Sequence, residues 1–197
     1  TNMDSPLGSA VGNSLEVIES VDMLKGNTSD DLWTVCRELS CRMLMLAGIG
    51  DRDECGRLVD EAVKSGEALK RFKMMVKLQG GDVSYIEDTS KFRKASFSRE
   101  VYAPADGYIT HMDSENIGLT AVLLGAGREK KEDNIDPAAG IVISAKTGDF
   151  VKRGELLATL FSNDKSRLDG AETRYLSAVS IGAQKPAAQP MILDYID

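Results

Sequence analysis

Between residues 13 and 78 apolar side chains recur at helical spacing in four separate runs, and each run is closed by a glycine. Asn13-Ser14-Leu15-Glu16 has the form of a capping box, and Leu15, Ile18, Val21 and Leu24 follow up to Gly26. Ser29 can cap a second helix, with Leu32, Cys36, Leu39, Met43 and Leu46 on one side and Gly48 at its end. Asp51-Arg52-Asp53-Glu54 offers another capping box before Cys55, Leu58, Val59, Ala62 and Val63, up to Gly66. A fourth helix is expected from about Glu67 to Leu78, with Leu69, Phe72, Met75 and Val76 inward. Each is a one-sided stripe and must bury that face. The four could cover one another, or cover a sheet whose strands lie upstream.

Residues 83–99 are polar with alternating charge and read as a connector. After Glu100 the pattern changes to short β-rich runs between Gly and Asp turns: Val101–Ala103, Tyr108–Thr110, Thr120–Leu124, Ile141–Ile143, Asp149–Val151 and Leu156–Leu160. A helix from about Lys165 to Ile181 follows, and the apolar Met191–Ile196 could add a last strand. The expected fold is a mixed, α+β one. A helical segment over 1–99 precedes a β-rich domain over 100–197, with strands over 100–162 and a helix and last strand over 163–197.

The 197 residues carry a net charge of −7, which argues against nucleic acid as a partner. No stretch approaches the roughly 18 to 20 apolar residues of a membrane span. The chain does not begin with Met and reads as a fragment or processed product. Cys36, Cys41 and Cys55 are odd in number and form no CxxC, so free, buried thiols in a reducing cytoplasm are expected.

Few residues suggest chemistry. The single histidine, His111, sits between Thr110 and Met112 and reads as a surface strand residue. No Cys/His cluster has metal-ligand spacing. Gly125-Ala126-Gly127-Arg128 could cradle a phosphate on backbone N–H groups beside an arginine, could be a solvated turn, or could be a lid or interface loop. Its continuation, Glu129-Lys130-Lys131-Glu132-Asp133, nearly neutralises itself.

Ala103-Pro104-Ala105-Asp106-Gly107-Tyr108-Ile109 resembles the opening strand and turn of biotinyl and lipoyl carrier domains, and Lys146–Leu157 resembles their G-D-x-V-x-x-G-x-x-L turn. Gly148 and Gly154 would supply the turns. No acceptor lysine motif follows Leu160. The barrel-sandwich shape fits; a swinging-arm role, the alternative function as a non-catalytic binding or scaffold module, does not.

A second resemblance spans most of the chain. Met3-Asp4-Ser5-Pro6-Leu7-Gly8-Ser9-Ala10-Val11-Gly12-Asn13-Ser14-Leu15-Glu16-Val17 is similar to a segment of pyrimidine-nucleoside and thymidine phosphorylases. The similarity continues, in order, through Leu24–Gly26, Leu78–Asp82, Leu123–Arg128, Lys131–Asp136, Ala139–Ile141 and Gly148–Leu157. It implies that residues 1–99 belong to the family's α/β domain and 100–197 to its C-terminal, barrel-sandwich-like domain. It also implies a cytoplasmic, homodimeric transferase of nucleoside salvage, which cleaves thymidine or uridine with inorganic phosphate to free base and pentose 1-phosphate. The family's catalytic histidine, arginine and lysine contacts and its phosphate loop have no counterpart in this sequence. The expectation is therefore no catalytic residue in this chain and no activity of the chain by itself. One family site reaches into it, a monovalent-cation site. Carried over by position, K⁺ would be held by the carbonyl oxygens of Leu7 and Ala10 and the carboxylate of Glu19, an oxygen set suited to a hard cation.

Overall fold

A computed structural model describes residues 1–27, 30–128 and 130–196. The chain divides into two compact units. One holds residues 18–91 and the segment after 190; the other holds residues 2–17 and 92–190. The first helix, α1 (Asn13–Leu24), crosses the division.

In the helical unit, α2 (Asp30–Leu46), α3 (Arg52–Lys64) and α4 (Glu67–Leu78) follow the glycine-punctuated runs. Asp51 caps α3 by accepting the Glu54 N–H at 2.9 Å, as its motif predicts. The proposed cap of α2, Ser29, lies outside the described residues. The buried row of α2 is not the expected one. Val35, Glu38 and Cys41 are buried, whereas Leu39, Met43 and Leu46 face outward. The reason is α3, which buries Cys55 and Val59 and approaches α2 over the bare backbone of Gly56. A Cβ on Gly56 would lie 2.7 Å from an Arg37 nitrogen. Arg37 in turn donates to both carboxylate oxygens of Asp60, at 2.6 and 2.8 Å. An apolar stripe alone could not predict that polar residues would choose the packed face. Of the thiols, Cys41 and Cys55 are buried as expected, but Cys36 is only half-buried. The polar stretch read as a connector contains a short helix, α5 (Ser84–Glu87), and a 3₁₀ turn at Thr89–Lys91.

The second unit is built on two antiparallel sheets. One orders β1 (Ala10–Val11), β4 (Gly140–Ile143), β6 (Leu156–Ser162) and β2 (Phe97–Tyr102); the other orders β5 (Phe150–Val151), β3 (Gly107–Met112) and β7 (Val179–Gly182). Val101, Ile109, Met112, Ile141, Val151, Leu157 and Leu160 enter one core from both sheets. Helices α6 (Ser114–Leu124) and α7 (Leu168–Ala178) close it with Ile117, Leu124, Leu168 and Tyr175. The fold class is mixed α and β, as expected. The two carrier-like segments meet. The Asp106 carboxylate accepts the Arg153 N–H at 2.7 Å, and Ala103 exchanges backbone bonds with Gly154 and Glu155 at 2.9 and 2.8 Å.

Three local expectations are corrected. Thr120–Leu124 is the end of α6, not a strand. Asp113 caps that helix, Thr120 turns its hydroxyl onto the Asn116 carbonyl at 2.7 Å, and Gly125 stops it. The expected helix over Lys165–Ile181 is a 3₁₀ turn at Lys165–Arg167 followed by α7, and it ends at Ala178. The last strand is β7, which pairs with β3, and no strand is formed by Met191–Ile196.

Candidate functional site

The residues that carried the longer resemblance form a continuous piece of the second unit: the loop before α1, the start of β4, and the segment after α6. Gly8 takes a left-handed turn (φ 68°), and its carbonyl accepts the Lys146 ammonium at 2.8 Å. The next carbonyl, Ser9, accepts the Ile143 N–H at 2.7 Å. Antiparallel alternation therefore turns the Ala10 carbonyl away from β4, with Ala10 opposite Val142. Leu7 is exposed and Ala10 buried in this unit; Glu19 is half-buried on the part of α1 that belongs to the helical unit. Among the described residues no group of three or more His, Cys, Asp or Glu side chains is placed to hold a metal ion.

Asn13 does not cap α1. Its side-chain amide donates to the Ala126 carbonyl at 2.8 Å, a tertiary bond that replaces the local one. The cap is made by Glu16, which reaches back to the Gly12 N–H at 3.0 Å, and the Ser14 N–H goes to the Pro137 carbonyl at 3.0 Å. Gly12 (φ 145°) and Gly140 (φ 152°) lie against each other between these bonds. The loop is thus braced on both the Gly125–Gly127 turn and β4.

Half of the N–H groups of the Gly125–Arg128 turn are used to close α6. Its first two N–H groups point back into α6: Gly125 donates to Val122 and Ala126 to Ala121, both at 2.9 Å, in the manner of a helix-closing glycine motif. Asp136 returns the chain to this turn, with its N–H on the Gly125 carbonyl at 2.9 Å and its carboxylate on Asn163 at 2.8 Å. Beside the turn lies an open cleft of about 480 Å³, lined by Val122, Leu123, Gly127, Lys130, Asp133, Asn134 and Arg167. Arg167 donates to the Leu123 carbonyl and the Asp164 carboxylate, each at 3.3 Å. Glu129 lies outside the described residues. His111 is exposed on β3, opposite Ser180. These groups orient backbone; among them no nucleophile–base pair is set up.

Sequence reasoning missed Lys146 and the amide role of Asn13, because both act on carbonyls more than a hundred residues away in the chain. The facing pair Gly12 and Gly140 had a signal: each sits within a quoted motif where the backbone needs unusual φ.

Residues 108–182 match the family described as pyrimidine nucleoside phosphorylase C-terminal domain. The whole chain is 38% identical to the pyrimidine-nucleoside phosphorylase of Geobacillus stearothermophilus and covers 45% of that protein. It is 40% identical over 95% of its length to that of Bacillus subtilis, covering 43% of it. It is 40% identical over 92% of its length to that of Staphylococcus aureus, covering 42%. The chain spans less than half the length of the curated relatives it matches. No helix among the described residues is long and apolar enough to cross a membrane.

Proposed function

We propose, from the chain's membership of the pyrimidine-nucleoside phosphorylase family as a C-terminal portion, that it completes an enzyme which cleaves thymidine or uridine with inorganic phosphate. In the reaction a phosphate oxygen bonds to the pentose C1 as the bond from C1 to the base nitrogen breaks. The products are the free base and the pentose 1-phosphate. The observation that carries this reading is similarity of 38–40% identity along almost the whole chain, through the loop that the Gly12–Gly140 contact and the Asn13 amide hold in place. This portion supplies braced backbone, and the groups that contact nucleoside and phosphate come from the remainder of the enzyme. The chain by itself is inactive in this reading, and the assembled enzyme is a cytoplasmic homodimer.

K⁺ is assigned to the carbonyl oxygens of Leu7 and Ala10 and the Glu19 carboxylate. The support is chemical: a donor set of two carbonyl oxygens and one carboxylate suits a hard monovalent cation. The assignment predicts that exchanging K⁺ for tetramethylammonium lowers the activity of the assembled enzyme and that Glu19→Gln abolishes the response.

The test of the main reading is phosphorolysis of thymidine and uridine by this chain alone and by the chain mixed with the remaining half of the enzyme. Base release only in the mixture is expected. Failure of both the mixture and the full-length protein would overturn the reading.

A further inference from the structure

The segment after the Pro/Ala/Gln-rich stretch at 184–190 forms no strand, yet it belongs to the helical unit. Tyr195 makes its specific contacts there. The Tyr195 ring is covered by the Arg42 guanidinium at 4.1 Å and the Arg52 guanidinium at 5.1 Å. Arg52 also donates to the Tyr195 hydroxyl at 2.8 Å. Both arginines are themselves held by Glu38, at 3.1 and 3.0 Å, and Glu38 is 8% exposed. Two residues from α2 and one from the first turn of α3 thus make a preformed seat for one aromatic side chain. Of the rest of the segment, Met191 and Ile192 are half-buried, whereas Leu193 is 61% and Ile196 fully exposed. The segment carries Asp194 and Asp197 and no basic residue, so its charge suits the arginines.

We propose that Met191–Ile196 is a strap of the helical unit, latched at Tyr195, with Glu38, Arg42 and Arg52 as the receptor. Residues 92–190 are then an insertion in chain order, with the helical unit supplying the chain on both sides of it. Withdrawing the ring removes the strap's hold on Arg42 and Arg52 and loosens its end. Lys in place of either arginine keeps the charge and loses the flat guanidinium that stacks on the ring.

Limited proteolysis of the intact chain with thermolysin tests this, with Tyr195→Ala, Tyr195→Phe and Arg52→Lys alongside, and with thermal melting confirming that each variant folds. Cleavage within Met191–Leu193, followed by mass, is expected to be slow in the parent protein. Tyr195→Ala should speed it by roughly tenfold or more, the scale of one lost ring–cation contact and its hydrogen bond together. Tyr195→Phe, which keeps the ring and loses only the hydroxyl bond, should fall between the two. Equal cleavage of the strap in parent and Tyr195→Ala would overturn the proposal. The readout needs no substrate, so it stands apart from the assignment of phosphorolysis.

Discussion

Gly12 and Gly140 lie so close that neither position has room for a side chain. A Cβ on Gly12 would sit 2.6 Å from the Ala139 carbonyl oxygen and 3.0 Å from the Gly140 Cα; one on Gly140 would meet the Val11 carbonyl oxygen and the Gly12 Cα. Both residues also have positive φ, 145° and 152°, which L side chains rarely adopt. The obstructing atoms are backbone and cannot rotate away. Gly12→Ala or Gly140→Ala should therefore cost about 2–4 kcal/mol, combining strain with overpacking. Calorimetric unfolding should show the loss in both variants. Gly26→Ala is the comparison for strain alone, because it too has positive φ (93°) but no atom lies within 4 Å of its Cβ.

Lys146 holds the carbonyl loop from the far side, through the 2.8 Å bond to Gly8. Lys146→Met should loosen residues 7–10 at a cost of about 1.5–3 kcal/mol, the scale of a hydrogen bond from a charged group. Faster exchange of the Val11 amide would report it. Lys146→Arg should restore much of the protection, since a guanidinium can still donate to the carbonyl.

The helices were legible because glycines stop them and because Asp51 announces its cap, two signals that act within a few residues. The inward face of α2 was not legible. Leu39, Met43 and Leu46 outnumber the apolar residues on the packed side, but Glu38 is drawn in by two arginines and Cys41 by the first turn of α3, where its thiol donates to the Arg52 carbonyl at 3.3 Å. The run Thr120–Leu124 suits strand and helix alike, and Asp113 with Gly125 decides it, an indication present in the sequence that the β-branched residues outweighed. The loop over residues 3–16 was legible only as a resemblance. Its partners Ala126, Pro137, Gly140 and Lys146 come from the second unit's distant turns, and no local rule links them to Gly8, Asn13 or Ser14.

Tyr175 is fully buried in the core of the second unit, and its hydroxyl finds no hydrogen-bond partner among the described residues. Burial pushes its ionisation well above the usual tyrosine value. A group whose folded value is raised contributes stability that is intact below the unfolded value, about 10, and is lost as pH climbs through that value toward the folded one. Tyr175→Phe removes both the orphaned hydroxyl and this alkaline penalty. The variant should be more stable by roughly 1 kcal/mol at pH 7, since a buried unsatisfied hydroxyl is disfavoured on that scale. Its advantage should widen above pH 10, which melting curves at pH 7 and 10.5 can show. A variant less stable than the parent at both pH values would mean that the hydroxyl has a partner.

Glu38 sets the opposite pH dependence in the helical unit. Burial pushes its pKa up, but the hydrogen bonds and charges of Arg52 and Arg42 together outweigh that, and the net shift is downward. A depressed carboxylate contributes stability that is present above its unfolded value, about 4.3, and disappears as pH falls through the folded one. Glu38→Gln leaves two arginines without their shared counter-charge. It should cost roughly 1–3 kcal/mol at pH 7, the range for removing one partner of a charged hydrogen bond. As pH falls below the unfolded value, about 4.3, the unfolded chain protonates this group first, so the gap between parent and variant should narrow, and it closes once the folded carboxyl is protonated too. Urea unfolding at pH 7 and pH 3.5, followed by the fluorescence of Trp33 on α2, would reveal the convergence. A gap of equal size at both pH values would show that Glu38 acts by shape and not by charge.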